Sequence, residues 1–149
     1  MEELYKKIDN VFLTHVLLYE KAMKACQAMG YNGFKRMYRI LSKKYWCDHI
    51  GLANELYDKY RMVLDTNMTD FNYKPSSLKE HLTYMDSKLK SDIAELGRYN
   101  KAYFEETGVE CGAIKDAVSC MVHDFEKTGR WIKRFDETQW RWTRLTLCG

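Results

Sequence analysis

Six side chains in this sequence combine chemical reactivity with placement on or beside regular apolar stretches: His15, Tyr19, Tyr45, Asp48, His49 and Asp86. His15 and Tyr19 are four residues apart and so share a helical face. The stretch GFKRMYRILSKKYWCDHIGLANELYDKY, residues 33–60, repeats apolar or aromatic residues at Phe34, Met37/Tyr38, Leu41, Tyr45, Leu52, Leu56 and Tyr60. That spacing of three and four predicts one helical face. Asp48 interrupts the stripe and His49 sits beside it. A carboxylate on a face that should be dry needs a counter-charge, a hydrogen-bond donor such as a tyrosine, or a cation. Asp86 directly follows the stripe residue Met85 and points along the edge of the core or into solvent. A lone histidine such as His15 is more often a satisfied core or boundary residue than a metal ligand. His81 and His123 fall off the main stripes and are expected to face solvent.

Four long helices must position these groups. The first is predicted from about Glu3 to Ala28, with Ile8, Val11/Phe12, His15, Leu18/Tyr19, Ala22 and Ala25/Cys26 on its stripe. Met29-Gly30-Tyr31-Asn32-Gly33 breaks the chain direction, because glycine and asparagine accept positive φ. The second helix covers the stretch above and ends near Met62 or Leu64. Residues 65–76, DTNMTDFNYKPS, lack periodicity and form a long connection, which in a bundle can run back along the side and leave consecutive helices parallel. Ser77 is the expected N-cap of the third helix, with Glu80 three residues on and Pro75 just before it. Leu78, Leu82, Met85, Leu89, Ile93, Leu96 and Tyr99/Tyr103 carry its apolar face. Thr107-Gly108-Val109 provides a turn. The fourth helix is expected over about Cys111–Phe135, with Ile114, Ala117/Val118, Met121/Val122, Phe125, Gly129, Ile132 and Phe135 inward. The final DETQWRWTRLTLCG fits a short fifth helix, an extended tail or a docking surface.

Composition narrows the function classes. The 149 residues are most simply one domain, all-α, with 46% hydrophobic residues for a core and a single proline. A net charge of +3 excludes a strongly basic nucleic-acid binder. Lys35, Arg36, Arg39, Lys43 and Lys44 nevertheless make a basic face that serves solubility or attracts phosphate or an acidic partner. No apolar run is long enough to span a bilayer, and Met1 is followed by charged residues rather than a secretory signal. Five cysteines (Cys26, Cys47, Cys111, Cys120 and Cys148) without short-range pairing read as free, buried thiols in a reducing, cytoplasmic setting. The sequon Asn67-Met68-Thr69 is incidental in that setting. Tyr73, Trp131, Trp140 and Trp142 are large aromatics available for interfaces or packing.

A bundle of this kind can gather ligands from several helices. In carboxylate di-iron sites two helices each supply a glutamate and two others each supply Glu-x-x-His, since iron favours anionic oxygen and imidazole nitrogen. This sequence contains no Glu-x-x-His; its nearest segments are Tyr45-Trp46-Cys47-Asp48 and Trp46-Cys47-Asp48-His49.

At this level the chain resembles the ferritins. GFKRMYRILSKKYWCDH is similar to the family segment running from aromatic-Ala-Lys-Tyr-Phe to Glu-Glu-Arg-Glu-His. Met85-Asp86-Ser87-Lys88-Leu89 followed by Ile93-Ala94-Glu95-Leu96 is similar to Leu-Glu-Lys-x-Val then Leu-Leu-Glu-Leu. Val122 through Gly129 follows the Glu-Gln-Val…Leu-Gly spacing, and Leu145-Thr146-Leu147-Cys148-Gly149 resembles the His-Thr-Leu-Gly ending. The resemblance covers nearly the whole chain. It implies a ferritin-like four-helix bundle with a long crossover between helices two and three, self-association, including into a shell-like oligomer, and iron binding or storage.

The resemblance also places Asp86 at the helix-three glutamate of the ferroxidase centre, and His49 at its histidine when the helix-two ends are aligned. Alignment from Phe34 instead puts Asp48 at the histidine and Tyr45 at the glutamate. Trp46 then stands at the bridging glutamate in the first alignment, Met121 at the helix-four glutamine, and Asn10–Phe12 offers no carboxylate on helix one. The implied subunit therefore has absent or weakened ferroxidase activity, with Asp48, His49 and Asp86 as metal candidates supported by His15, Tyr19 and Tyr45. Glu105, Glu106, Glu110 and Asp116 are candidate inner-surface or pore acids. The rival expectation is a non-enzymatic interaction bundle that has lost its metal.

Overall fold

A computed structural model describes residues 1–63, 72–73 and 75–138, with side chains to residue 134. Four helices account for almost all of it: α1 Glu2–Met29, α2 Asn32–Tyr60, α3 Leu78–Thr107 and α4 Gly112–Thr138. Each is about 40 Å long at 1.5 Å per residue. Most of the 65–76 connection, the Asn67 sequon, the Phe135 side chain, Trp140, Trp142 and Cys148 lie outside what the structure describes.

The helix ends follow local chemistry. Ser77 caps α3, its hydroxyl accepting from the Glu80 backbone N–H at 3.1 Å, while the Glu80 carboxylate accepts from the Ser76 N–H at 3.1 Å. This satisfies amides that a helix start leaves open. Gly30 (φ 85) and Gly108 (φ 76) close α1 and α3 in the left-handed region, where a side chain would be strained. Arg61 ends α2 in the same region (φ 55) without being glycine; its guanidinium lies over the Tyr57 ring at 5.4 Å.

Contacts fix the directions. Ser42 Oγ reaches the Val16 carbonyl and His49 meets Asp9, so seven residues forward on one helix match seven back on the other, and α1 and α2 are antiparallel. The Met1 amino group meets Glu106 and His15 meets Asp92, which makes α1 and α3 antiparallel as well. It follows that α2 and α3 run parallel. Neighbouring pairs are α1–α2, α3–α4, α1–α3 and α2–α4. The diagonals are bridged by long side chains, Tyr19 to Asp124 and Tyr38 to His81.

The core is contiguous and rich in rings. Tyr5, Phe12, Tyr19, Phe34, Tyr38, Tyr45, Leu52, Leu82 and Met121 are all fully or almost fully buried. Two expectations about α2 and α3 are corrected here. On α2 it is His49 that continues the stripe (Tyr45, His49, Leu52, Leu56), with Asp48 half-buried beside it. On α3, His81 is completely buried rather than solvent-facing, because it falls three residues after Leu78 and four before Met85. His123 is exposed, as expected.

Candidate functional site

Polar groups inside the bundle are matched two or three at a time. Between α1 and α2, the His49 Nδ1 is hydrogen-bonded to the Asp9 carboxylate, with the His49 ring against Trp46 at 5.0 Å. Burial raises the Asp9 pKa, while the hydrogen bond and charge of His49 oppose the rise. Between α1 and α3, His15 Nδ1 lies 2.7 Å from Asp92 Oδ2, although the approach is not aligned as a hydrogen bond. Lys88 adds its ammonium 3.5 Å from the other Asp92 oxygen. His15 Nε2 is buried without a hydrogen-bond partner, edge-on to the rings of Tyr19 and Tyr45 at 5.4 and 4.9 Å.

A third group joins α1, α2 and α4. Tyr19 and Tyr45 both donate to Asp124 Oδ2, at 2.9 and 3.1 Å. Their rings stack at 5.4 Å, and Tyr19 stacks on Tyr38 at 5.5 Å. Burial, reinforced by the Asp124 carboxylate, raises both phenol pKa values far above their ordinary range; the Tyr45 and Tyr38 phenols add to the rise at Tyr19, whereas at Tyr45 the hydrogen bond with Tyr19 opposes it.

The fourth group crosses the diagonal. Tyr38 meets His81 Nε2 at 2.7 Å and Tyr73 meets His81 Nδ1. Burial lowers the His81 pKa to about 4, so its imidazole is neutral near pH 7. A neutral ring has one N–H and one lone pair; one tyrosine therefore donates to it while the other accepts.

The six residues singled out from sequence are thus distributed over several partnerships. His15 and His49 each have their own aspartate, and Tyr19 and Tyr45 share a third. Asp48 is half-buried on the α2–α4 side, its pKa raised by burial and by Asp116 and lowered by Lys44, with one oxygen lacking a hydrogen-bond partner. Asp86 is half-buried on α3. Glu105, Glu106, Glu110 and Asp116 are all exposed. Among the described residues no group of three or more His, Cys, Asp or Glu side chains is placed to hold a metal ion. A di-iron centre needs several converging carboxylates, so the residues present do not fit one.

Sequence reasoning missed Asp9, Asp92 and Asp124. Each lies at helical spacing from core residues: Asp92 between Leu89 and Leu96, Asp124 between Met121 and Thr128, and Asp9 four residues before Leu13. The position signal was there; the residue type hid it. Cys47 is exposed rather than buried, whereas Cys26 and Cys111 are buried as expected and Cys120 is half-buried.

Helix order and the parallel run of α2 and α3 define a ferritin-like four-helix bundle, and no metal-binding cluster is evident among the described residues. The solved structure of an open-pore ferritin from the hyperthermophilic archaeon Archaeoglobus fulgidus superposes with a TM-score of 0.82, covering 98% of this chain and 93% of that one at 9% identity. No family model matches the sequence, and no curated protein is similar to it. None of the described helices is long and apolar enough to cross a membrane.

Proposed function

We propose that this chain is a ferritin-like subunit that lacks its own ferroxidase chemistry and works by self-association, with iron association or storage as its role in the assembly. The observation that carries this reading is that interior polar groups are matched with one another in separate small sets rather than converging on one point. Asp9 with His49 and His15 with Asp92 leave carboxylates and imidazoles committed to each other. Asp48 and Asp86 are the remaining candidates for weak cation contact. Free thiols at Cys26, Cys47, Cys111 and Cys120 fit a subunit kept in the cytoplasm.

The outer face of α2 supports self-association. Ile40, Trp46, Ile50 and Tyr57 are 40–68% exposed there. Its N-terminal half carries Arg36, Arg39 and Lys43 and its C-terminal half Asp58, with Glu55 already paired to Lys59, so an antiparallel second copy would meet a small excess of opposite charge. The same surface would serve the rival role, a bundle that binds another macromolecule.

Light scattering combined with oxygen uptake under added ferrous iron tests this. The expected result is an oligomer with oxygen uptake no faster than buffer. A strict monomer would overturn the self-association reading, and saturable enzyme-dependent uptake would overturn the absence of oxidation chemistry.

A further inference from the structure

From Asn32 to Cys47, α2 carries Lys35, Arg36, Arg39, Lys43 and Lys44 and no acid. Arg36, Arg39 and Lys43 are exposed, and among the described residues none of the three is ion-paired. Their placement also works against the helix. α2 begins without a side-chain cap and without an acid in its first turn, so the positive end of its dipole faces Lys35 and Arg36 rather than a carboxylate. An anion laid across these turns relieves that repulsion.

A second row of cations comes from α4. The Lys127 ammonium donates to Met37 Sδ at 3.7 Å and Trp131 meets Phe34 at 4.7 Å, so the C-terminal half of α4 lies against the N-terminal half of α2. Lys127 is half-buried at this seam, and Arg130 is exposed three residues on. The nearby carboxylates are engaged elsewhere: Asp124 accepts from Tyr19 and Tyr45, and Glu20 accepts from Ser42 at 2.8 Å. Glu126 is the one exposed acid among described residues 120–134. Arg36, Arg39, Lys43 and Lys44 with Lys127 and Arg130 thus border a strip about 12 Å long and about 10 Å wide.

We propose that this α2–α4 strip binds inorganic polyphosphate, the chain lying along the seam with its oxygens accepting from both rows. Guanidinium and ammonium groups are the natural partners of phosphate oxygens. The strip is built to read charge and little else. Its ring, Trp131, is half-buried under the Lys127 ammonium at 5.1 Å, and Trp46 turns to the α1 side against His49. Neither residues 33–44 nor residues 120–134 include an asparagine or glutamine. Nucleic-acid strands rely on exposed stacking platforms and on contacts to base edges, so a bare phosphate chain is the better fit. The site rests on neither self-association nor iron handling.

Fluorescence anisotropy with end-labelled, short-chain polyphosphate on the full chain tests this, with light scattering alongside to read assembly separately. Saturable binding is expected, weakening about 50-fold between about 50 and about 200 mM salt as about four phosphates release their counterions. Tripolyphosphate should compete for the strip and orthophosphate should not. Arg36→Glu/Arg130→Glu alters two exposed side chains and should weaken binding about 100-fold, about tenfold per lost charged contact; circular dichroism checks that it folds. Lys7→Glu/Lys101→Glu makes the same change in net charge at the far end of the bundle. It should leave affinity within about twofold, because those sites lie more than a Debye length away. No saturable binding, or equal losses in the two double variants, would overturn the proposal. Single-stranded DNA or polyglutamate of equal charge binding as tightly as polyphosphate would overturn the choice of ligand.

Discussion

Acidification should destabilise this bundle through His81, and the size of the effect follows from where that ring sits. The His81 side chain is fully buried, and burial lowers its pKa from 6.5 to about 4. As pH falls the unfolded chain takes up the proton first, near 6.5, while the folded ring resists it until about 4. The stabilising contribution is therefore complete above 6.5 and is lost progressively down to about 4. At about 1.4 kcal/mol per pH unit, that gap sets a ceiling of about 3 kcal/mol, of which about 2 kcal/mol should be gone by about pH 4.5. Urea unfolding followed by circular dichroism at about pH 7 and about pH 4.5 measures it, with His81→Gln as the non-titrating reference. The variant loses some stability at both pH values because its contacts with Tyr38 and Tyr73 change. Its pH slope should be shallower by about 2 kcal/mol. Asp9 and Asp48, whose pKa values are raised by burial, favour folding as pH falls, and their contribution cancels in the comparison. Parallel pH profiles for the two proteins would refute the reasoning.

Three further outcomes follow from the same contacts. His49→Ala leaves the Asp9 carboxylate, only 2% exposed, without its partner and should lower unfolding stability by about 3–5 kcal/mol, whereas replacing both residues with leucine should recover most of that loss; chemical denaturation of the single and double variants checks it. Ser77→Ala removes the α3 cap and should lower stability by about 1 kcal/mol, with faster amide exchange confined to the first turn of α3. Gly108→Ala meets open space around the new methyl but forces a side chain into φ 76, and should lower the melting temperature by the equivalent of about 1 kcal/mol.

The fold was legible because apolar spacing and end signals agree along this chain. Ser77 with Glu80 marked the start of α3, Gly30 and Gly108 the ends of α1 and α3, and the aperiodic 65–76 stretch implied parallel α2 and α3 before any contact was seen. The interior chemistry was less legible. Asp48 attracted attention as a carboxylate near an apolar face, yet a register one residue later puts His49 on the core face. Asp9, Asp92 and Asp124 were not singled out, because their partners lie on other helices. A helical pattern reports which face a residue occupies; it does not report which polar groups on three other helices will face it. Pairings such as His15 with Asp92 span more than seventy residues of sequence, and nothing local encodes them.

The imidazole resonances of His15 and His49 report most directly on whether interior donors are committed to each other or available to iron. Isotope-edited spectra of the intact protein, recorded during an anaerobic titration with ferrous iron, are expected to show both rings unshifted and unbroadened past equimolar metal. Saturable, stoichiometric broadening of the two rings together would place a metal inside the bundle and contradict the paired interior described above.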